Sequence, residues 1–389
     1  MTSTRIGTAR LFLFYLLLPC VESDVCVFAA NDTVFTTDNA TITYYCIKIP
    51  TLLEHSRTST LIALGEGRVG SCSDVTRTDL LIRRSHDGGE TWTPLRILLT
   101  NSSDATTNVV GNAAPVEDKS TGRIWLLYNR NNKETWITSS DDGGETWASP
   151  IMHPELQHSE WKWVGVGPPA GIQLQSGRLL VPGYHSEIWP NPNRSSIGSG
   201  LTKGHVVISD DHGTSWRLAA DDFGYEENNP DNNRFYVNEQ QAAQLPDGRV
   251  IMNSRTLAAR RAISFSDDEG ESFMETVYAS GLYETWQGCE GSMIYHNSSG
   301  NLYYSGVQGE QPLRLYRSDL ALFKSTNGGL NWEREVTISP GASGYSALIS
   351  TYEDGGLSVL YEHSNCHGKG PGGCPLVFLP EIISFKRLL

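Results

Sequence analysis

The sequence contains no Cys-x-x-Cys pair, which argues against a zinc site. None of its 10 histidines is assigned a ligand role. Long amphipathic helical stretches are absent, which argues against a helical bundle. No segment after the N-terminus is long and apolar enough to span a bilayer. The Gly-rich stretch 368–373 lacks a following Lys-Ser/Thr and a helix signal, so it is not a phosphate cradle. Basic residues are scarce: 30 Lys and Arg stand against 44 Asp and Glu, for a net charge of −14. Such a chain is a poor partner for nucleic acid or an anionic membrane surface. An anionic ligand would have to be met by gathering those few cations at one place.

What is present begins with an N-terminal leader. Arg5 and Arg10 precede the apolar stretch Leu11 to Leu18, and Val21 to Ser23 resembles a cleavage site. Residues 1–23 read as a secretory signal peptide, so the chain is expected on the secretory pathway, secreted or lysosomal. Six cysteines follow, at 26, 46, 72, 289, 366 and 374, an even number that favours disulfides. Cys366 with Cys374, across the Gly-rich loop, and Cys26 with Cys46 are the expected pairs. Sequons at Asn31, Asn39, Asn101, Asn193 and Asn297 fit the surface loops of a secreted glycoprotein.

The strongest signal is a phrase of the form Ser-x-Asp-x-Gly-x-Thr-Trp that recurs five times. It runs from Ser85 to Trp92, Ser140 to Trp147, Ser209 to Trp216, Ser266 to Phe273 and, with Asn327 for Asp, Ser325 to Trp332. The starting serines lie 55, 69, 57 and 59 residues apart, which is the period of an array of similar units. Each phrase has hairpin-turn chemistry. Asp accepts hydrogen bonds from the turn's own backbone, and Gly tolerates positive φ. Each also follows a strand-like apolar segment, so its aspartate reads as a turn residue and not as a catalyst.

A second repeat alternates with the first. Short turns, often Gly-Arg, lead into apolar strands at Leu61, Ile124, Leu179, Val250, Leu302 and Leu357. Six such copies predict an all-β chain folded as a six-bladed β-propeller, with residues 24–389 as one domain and 24–43 as an N-terminal extension. The segment Glu381 to Lys386 is expected as a strand that pairs with the N-terminal blade and closes the ring. Residues 186–200 and 221–234 read as loops. The second is dense in oxygen ligands and leaves calcium binding open, but it has no EF-hand spacing.

Charged and polar residues near the ends of the repeated strands are the candidates for chemistry. They are Lys48, Arg68, Asp74, Glu239, Arg255, Arg317, Tyr345 and Glu362. At these positions, and in the five turns, the chain resembles the exo-α-sialidase (neuraminidase) family of the bacterial and animal type. In that family the turns are called Asp boxes. The resemblance extends from about Tyr44 to the C-terminus. It implies an arginine triad that holds the sialic acid carboxylate, with Arg255 and Arg317 as two members and Lys48 in the place of the first. Arg68 would line the pocket, Asp74 would be the acid/base carboxylate, Tyr345 the nucleophile and Glu239 its base. Glu362 would orient Lys48. Gly165 to Pro168, Gly171 to Leu174 and Gly288 to Ser292 would shape the rim. No cofactor or metal is implied. The partners implied are sialylated glycoproteins, glycolipids or oligosaccharides.

The residue types suit that chemistry. Sialic acid carries a carboxylate on its anomeric carbon, which repels an anionic nucleophile and favours a tyrosine with an adjacent base. One departure stands out. The family has Arg-Ile-Pro where this chain has Lys48-Ile-Pro50. Lysine keeps the charge and loses the planar fork, a cost on the order of 1–3 kcal/mol of binding if charged hydrogen-bond values apply. Pro168-Pro-Ala170 replaces a more Gly-rich family segment. The leading expectation is therefore a retaining exo-α-sialidase. A non-catalytic sialic-acid-binding propeller (a lectin) and a trans-sialidase are the alternatives.

Overall fold

The computed structural model describes residues 32–36, 44–100, 108–188, 202–224, 236–257, 260–274, 276–285, 288–307, 317–352, 355–363 and 382–388. The described residues form 24 strands and one short 3-10 helix at Pro154–Leu156. No helix among them is long and apolar enough to cross a membrane.

Five antiparallel sheets follow one another along the chain, in meander order except that two short strands of the third share one partner. The strand β1 (Asp32–Thr36) stands apart and joins the last sheet. The first sheet holds β2 (Cys46–His55), β3 (Thr60–Arg68), β4 (Thr78–Ser85) and β5 (Arg96–Leu99). The second holds β6 (Val110–Asp118), β7 (Arg123–Arg130), β8 (Glu134–Ser140) and β9 (Ile151–Met152). The third holds β10 (Trp163–Val166), β11 (Ile172–Gln173), β12 (Leu179–Ser186), β13 (Thr202–Ser209) and β14 (Arg217–Phe223). The fourth holds β15 (Gln240–Gln244), β16 (Val250–Ser254), β17 (Arg260–Ser266) and β18 (Val277–Tyr283). The last holds β19 (Ser292–His296), β20 (Asn301–Val307), β21 (Ser318–Ser325), β22 (Glu333–Ser350), β23 (Leu357–His363) and β24 (Ile382–Arg387).

The sheets pack face to face in a propeller-like arrangement. Apolar clusters lie between successive sheets, as where Ile62, Leu64, Leu80 and Ile82 of the first meet Val110, Ile124 and Leu126 of the second. The first strands of the sheets sit innermost: β2 touches both β6 and β22, and β15 touches β19. The apolar strands repeated in the sequence are therefore second in their sheets. Among the first strands, β6 and β15 are rich in small and polar residues, which allows close approach to neighbouring sheets.

Two features of the last sheet govern closure. The 18-residue strand β22 pairs with β21 through its first half and with β23 through its second. At the far edge β24 pairs with both β23 and β1, so the C-terminal strand is clasped by the N-terminal one. The expected C-terminal strand is present, and its partner is the short β1 outside the first sheet.

The five turns share one set of hydrogen bonds. The opening serine Oγ accepts from the Gly N–H, at 2.8 Å for Gly89 and 2.9 Å for Gly144. The aspartate Oδ1 accepts from the backbone four residues on, at 2.9 Å for Asp87 to Thr91. Asn327 keeps that bond at 3.0 Å to Asn331. Gly213 has φ of 84°, and a Cβ there would lie 2.1 Å from the Trp125 ring, so both conformation and space require glycine. Each turn joins the third and fourth strands of its unit, at the opposite sheet end from Arg68.

Candidate active site

Strand ends and one bulge bring eight sequence-selected residues to the same end of the sheets. Lys48 lies on β2 immediately before a register shift between Lys48 and Thr51. Within that bulge Ile49 has φ of 54°, an uncommon conformation for a β-branched residue. Bulges re-aim side chains, and they are frequent beside active sites. Arg68 ends β3, Asp74 sits in the loop to β4, Glu239 precedes β15, Arg255 follows β16 and Arg317 precedes β21. Tyr345 lies in β22 and Glu362 in β23.

At the centre, the Tyr345 hydroxyl donates to Glu239 Oε1. Arg255 Nη1 donates to the Tyr345 oxygen at 2.9 Å and to Glu239 Oε2 at 2.6 Å. Two further cations face the ring of Tyr345: the Arg317 guanidinium 5.1 Å and the Lys48 Nζ 5.6 Å from its centroid. Arg317 is steadied by donation to the Gly288 carbonyl at 3.1 Å. Tyr345 and Glu239 are each only 5 % exposed. Burial, and then the Glu239 charge, push the Tyr345 hydroxyl well above the ordinary tyrosine range, against the pull of Arg255 and Arg317. The phenol is therefore held neutral, with its proton directed at a carboxylate.

Glu362 is fully buried and works through the backbone. Its Oε1 accepts from Ile49 N–H at 2.8 Å and its Oε2 from Tyr345 N–H at 3.1 Å. One carboxylate thus fixes the bulge beside Lys48 and the backbone of Tyr345. Its charge also favours protonated Lys48. Burial and Arg68 act the other way and leave the Lys48 pKa below the usual lysine value.

A second group holds the loop that carries Asp74. Arg68 donates to Glu66 Oε2 at 2.7 Å and 3.0 Å, to Asp74 Oδ1 at 2.7 Å and to the Cys72 carbonyl at 2.7 Å. Burial works against the Arg68 charge, but Glu66 and Asp74 outweigh it and its pKa is raised. The Asp74 side chain is 45 % exposed. Desolvation raises its pKa, yet Arg68 and Lys48 overcome that and hold the carboxyl at about 2. Arg68 and Asp74 are thus an ion pair at one side of the cation cluster. The Asp74 carbonyl also accepts from Asn132 Nδ2 at 3.0 Å.

Several supporting residues were not assigned from sequence. Glu66, two residues before Arg68, shares its strand face by simple alternation, a signal that was available. Its Oε1 accepts from Asn112 N–H at 2.8 Å. Glu290 is 1 % exposed, and its Oε2 accepts from Ser346 N–H at 2.8 Å, directly behind the tyrosine. Burial pushes its pKa well above the carboxylate range. The segment Gly288 to Ser292 therefore lies under the site and not at its rim, and Gly165 to Pro168 is likewise buried, with Gly165 against the Tyr184 ring. Glycine there permits the ring's close approach.

The cysteine expectation is corrected. Cys46 bonds to Cys72, with Cα atoms 5.4 Å apart, and not to Cys26. The pairing of β2 with β3 sets Cys46 opposite Arg68, four residues from Cys72, so the partner is supplied by the adjacent loop. Cys289 is free and buried, and burial lifts its thiol to about 12. Cys26, Cys366 and Cys374 lie outside the described residues, as do four of the five sequons and most of the loops at 186–200 and 221–234. Asn297 is exposed in the turn before β20.

Sheets packed around an innermost set of strands, with cations gathered over a tyrosine–carboxylate pair, define a propeller-like β protein with a site suited to an anion. The chain belongs to the BNR repeat-like family, whose model matches residues 60–359. It is 28 % identical over 290 residues to Sialidase-4 of Homo sapiens, covering 68 % of this chain and 57 % of that protein. It is 26 % identical over 384 residues to Sialidase-3 of Mus musculus, covering 81 % of this chain and 87 % of that protein. Among solved structures, Hadza microbial sialidase Hz136 superposes with a TM-score of 0.70 at 23 % identity, covering 88 % of this chain and 66 % of that one. The match thus spans less than two thirds of Sialidase-4 but most of Sialidase-3.

Proposed function

We propose that this chain is an exo-α-sialidase that releases terminal sialic acid from glycoproteins, glycolipids or oligosaccharides with retention of configuration. The observation that carries the proposal is the shared hydrogen bonding of Tyr345, Glu239 and Arg255 beneath Arg317 and Lys48. A binding protein has no need of a phenol aimed at a buried carboxylate. Names of the relatives point to the same substrate class.

In this reading Arg255, Arg317 and Lys48 hold the substrate carboxylate by charge-assisted bonds. Tyr345 attacks the anomeric carbon as its proton passes to Glu239. Asp74 protonates the leaving oxygen, and later activates the water that releases the sugar from the tyrosine. The substrate carboxylate adds a negative charge to the cluster that depresses Asp74, which raises the Asp74 pKa toward one suited to an acid.

The same reading divides the seven-stranded sheet within β22 into two blades, for six in all. The repeated turns are Asp boxes that brace the blades from the opposite end. Residues 24–389 form one domain after a signal peptide at 1–23, on the secretory pathway. The test is incubation of the purified chain with a fluorogenic aryl α-sialoside, following the anomer first released by NMR. Release of the α-anomer supports the proposal. Absence of turnover, with retained sialic acid binding, would sink it in favour of a lectin.

A further inference from the structure

We infer that the Cys46–Cys72 disulfide is a positioning element for the acid/base carboxylate Asp74, and not only a brace for the fold; this rests on the sialidase reading. Cys46 lies two residues before Lys48 on the innermost strand β2, and Cys72 two residues before Asp74. The bridge therefore ties the loop that carries the acid to the strand that carries a substrate-binding cation.

The rest of the loop shows why such a tie matters. Residues 69–77 form a hairpin closed by Val69 N–H to the Arg77 carbonyl at 2.9 Å and Thr76 Oγ1 to the Val69 carbonyl at 2.6 Å. These bonds are internal to the loop. Outside it, the segment around Asp74 is held by Arg68, by Asn132 and by the disulfide. The Arg68–Asp74 bond at 2.7 Å is an ion pair, and its strength depends on an ionised Asp74. Asp74 must be protonated to deliver a proton to the leaving group. In that state the charge attraction to Arg68 is lost, while the disulfide is unaffected. Cys46 is fully buried on a paired strand, so the anchor is rigid. The disulfide thus holds the acid in both protonation states, a covalent tie beside the Arg68 and Asn132 bonds to backbone carbonyls, at the step where the ion pair cannot.

This makes a specific kinetic claim. An aryl α-sialoside with a nitrophenol-type leaving group departs with little proton assistance, whereas the sugar alkoxide of sialyl-lactose needs it. General acid assistance is worth on the order of 10²–10⁴-fold. The experiment compares kcat/KM, which reports only the steps up to departure of the leaving group, on both substrates for the wild-type chain, the Cys46→Ser/Cys72→Ser double variant, and wild-type protein treated with a dithiol and alkylated while folded. In that treatment the dithiol closes to a cyclic disulfide and supplies two electrons and two protons, leaving two protein thiols. The expected result is a loss of roughly 30-fold or more on sialyl-lactose and under about threefold on the aryl sialoside. An equal loss on both, including loss through unfolding, overturns the inference and leaves the bridge purely structural. No change on either overturns it as well. Failure of untreated wild-type protein to turn over either substrate would count against the sialidase reading instead.

Discussion

The Tyr345 hydroxyl donates to the carboxylate of Glu239, a residue 106 positions earlier in the chain, and both are almost fully buried. A neutral phenol, a carboxylate and the Arg255 guanidinium share these contacts at the centre of the cation cluster. On the proposed reading, removing the hydroxyl deletes the attacking atom without emptying the site. Tyr345→Phe is expected to reduce kcat on an aryl α-sialoside by about 10³-fold or more. Glu239→Gln is expected to reduce it by about 10²–10⁴-fold, the usual worth of a general base. Both variants should retain sialic acid binding within a few-fold by calorimetry. Wild-type rates in Tyr345→Phe would remove that residue from the nucleophile's role.

Lys48 gives the site a pH dependence that arginine would not. Burial, followed by Arg68, lowers its pKa, while Glu362 and Asp74 partly oppose them. As pH rises through that lowered pKa, Lys48 loses its proton and the substrate carboxylate loses one of its three cations. KM should therefore climb on the alkaline side. Lys48→Arg keeps its charge and adds a second donor in fixed geometry. It is expected to lower KM by roughly 5–150-fold near neutrality, the equivalent of the 1–3 kcal/mol of one charged hydrogen bond, and to move the alkaline rise in KM to higher pH. Identical KM–pH profiles for the two proteins would show that Lys48 does not meet the substrate.

Glu362 joins two parts of the site through the backbone, so its removal should be felt in both. Glu362→Gln retains an acceptor for only one of the Ile49 and Tyr345 N–H groups. The expected cost is about 1–3 kcal/mol of stability, the usual penalty for an orphaned buried donor. A lower Tm should be accompanied by reduced kcat and raised KM on the aryl substrate. A change in Tm alone would separate the carboxylate from the chemistry.

The turn aspartates are expected to stabilise the fold above about pH 4 and to have no part in turnover. Hydrogen bonds from Thr91 hold Asp87 at about 2. For Asp142, burial is outweighed by the Thr146 hydroxyl and backbone, which also hold it at about 2. A depressed folded pKa adds stability above the unfolded value near 4, and that stability is lost as pH falls toward 2. Asp142→Asn removes the titrating group while leaving an acceptor of the kind Asn327 already supplies to Asn331. Its acid unfolding curve, followed by tryptophan fluorescence, should be shallower between about pH 4 and 2 than that of the wild type. Turnover on the aryl α-sialoside should be unchanged at neutral pH.

Local chemistry was legible in the sequence wherever a residue's job is done within its own turn or strand. Ser140, Asp142 and Gly144 satisfy one another over a few residues, so their pattern recurs wherever the turn does. The near-continuous apolar runs that fix β3, β7 and β20 are equally local. Those repeats predicted the all-β chain and its propeller-like layout. The site residues could be picked out by their places at strand ends, but their roles came only through resemblance, because each is one polar residue at the end of an otherwise ordinary strand.

The sequence by itself determined the turns, the strands and the pool of cations from which a site could be drawn. Only the tertiary structure decided which of those groups meet. Glu362 accepts from Ile49 across 313 positions and Tyr345 meets Glu239 across 106, and no local pattern encodes such distances. Packing of the sheets also placed Cys72, not Cys26, beside Cys46, and put Glu290 beneath the tyrosine. The physical reason is one of range. Turn chemistry is satisfied by neighbours in the chain, whereas charges, buried carboxylates and sulfur bridges find partners through the closure of sheets far apart in sequence.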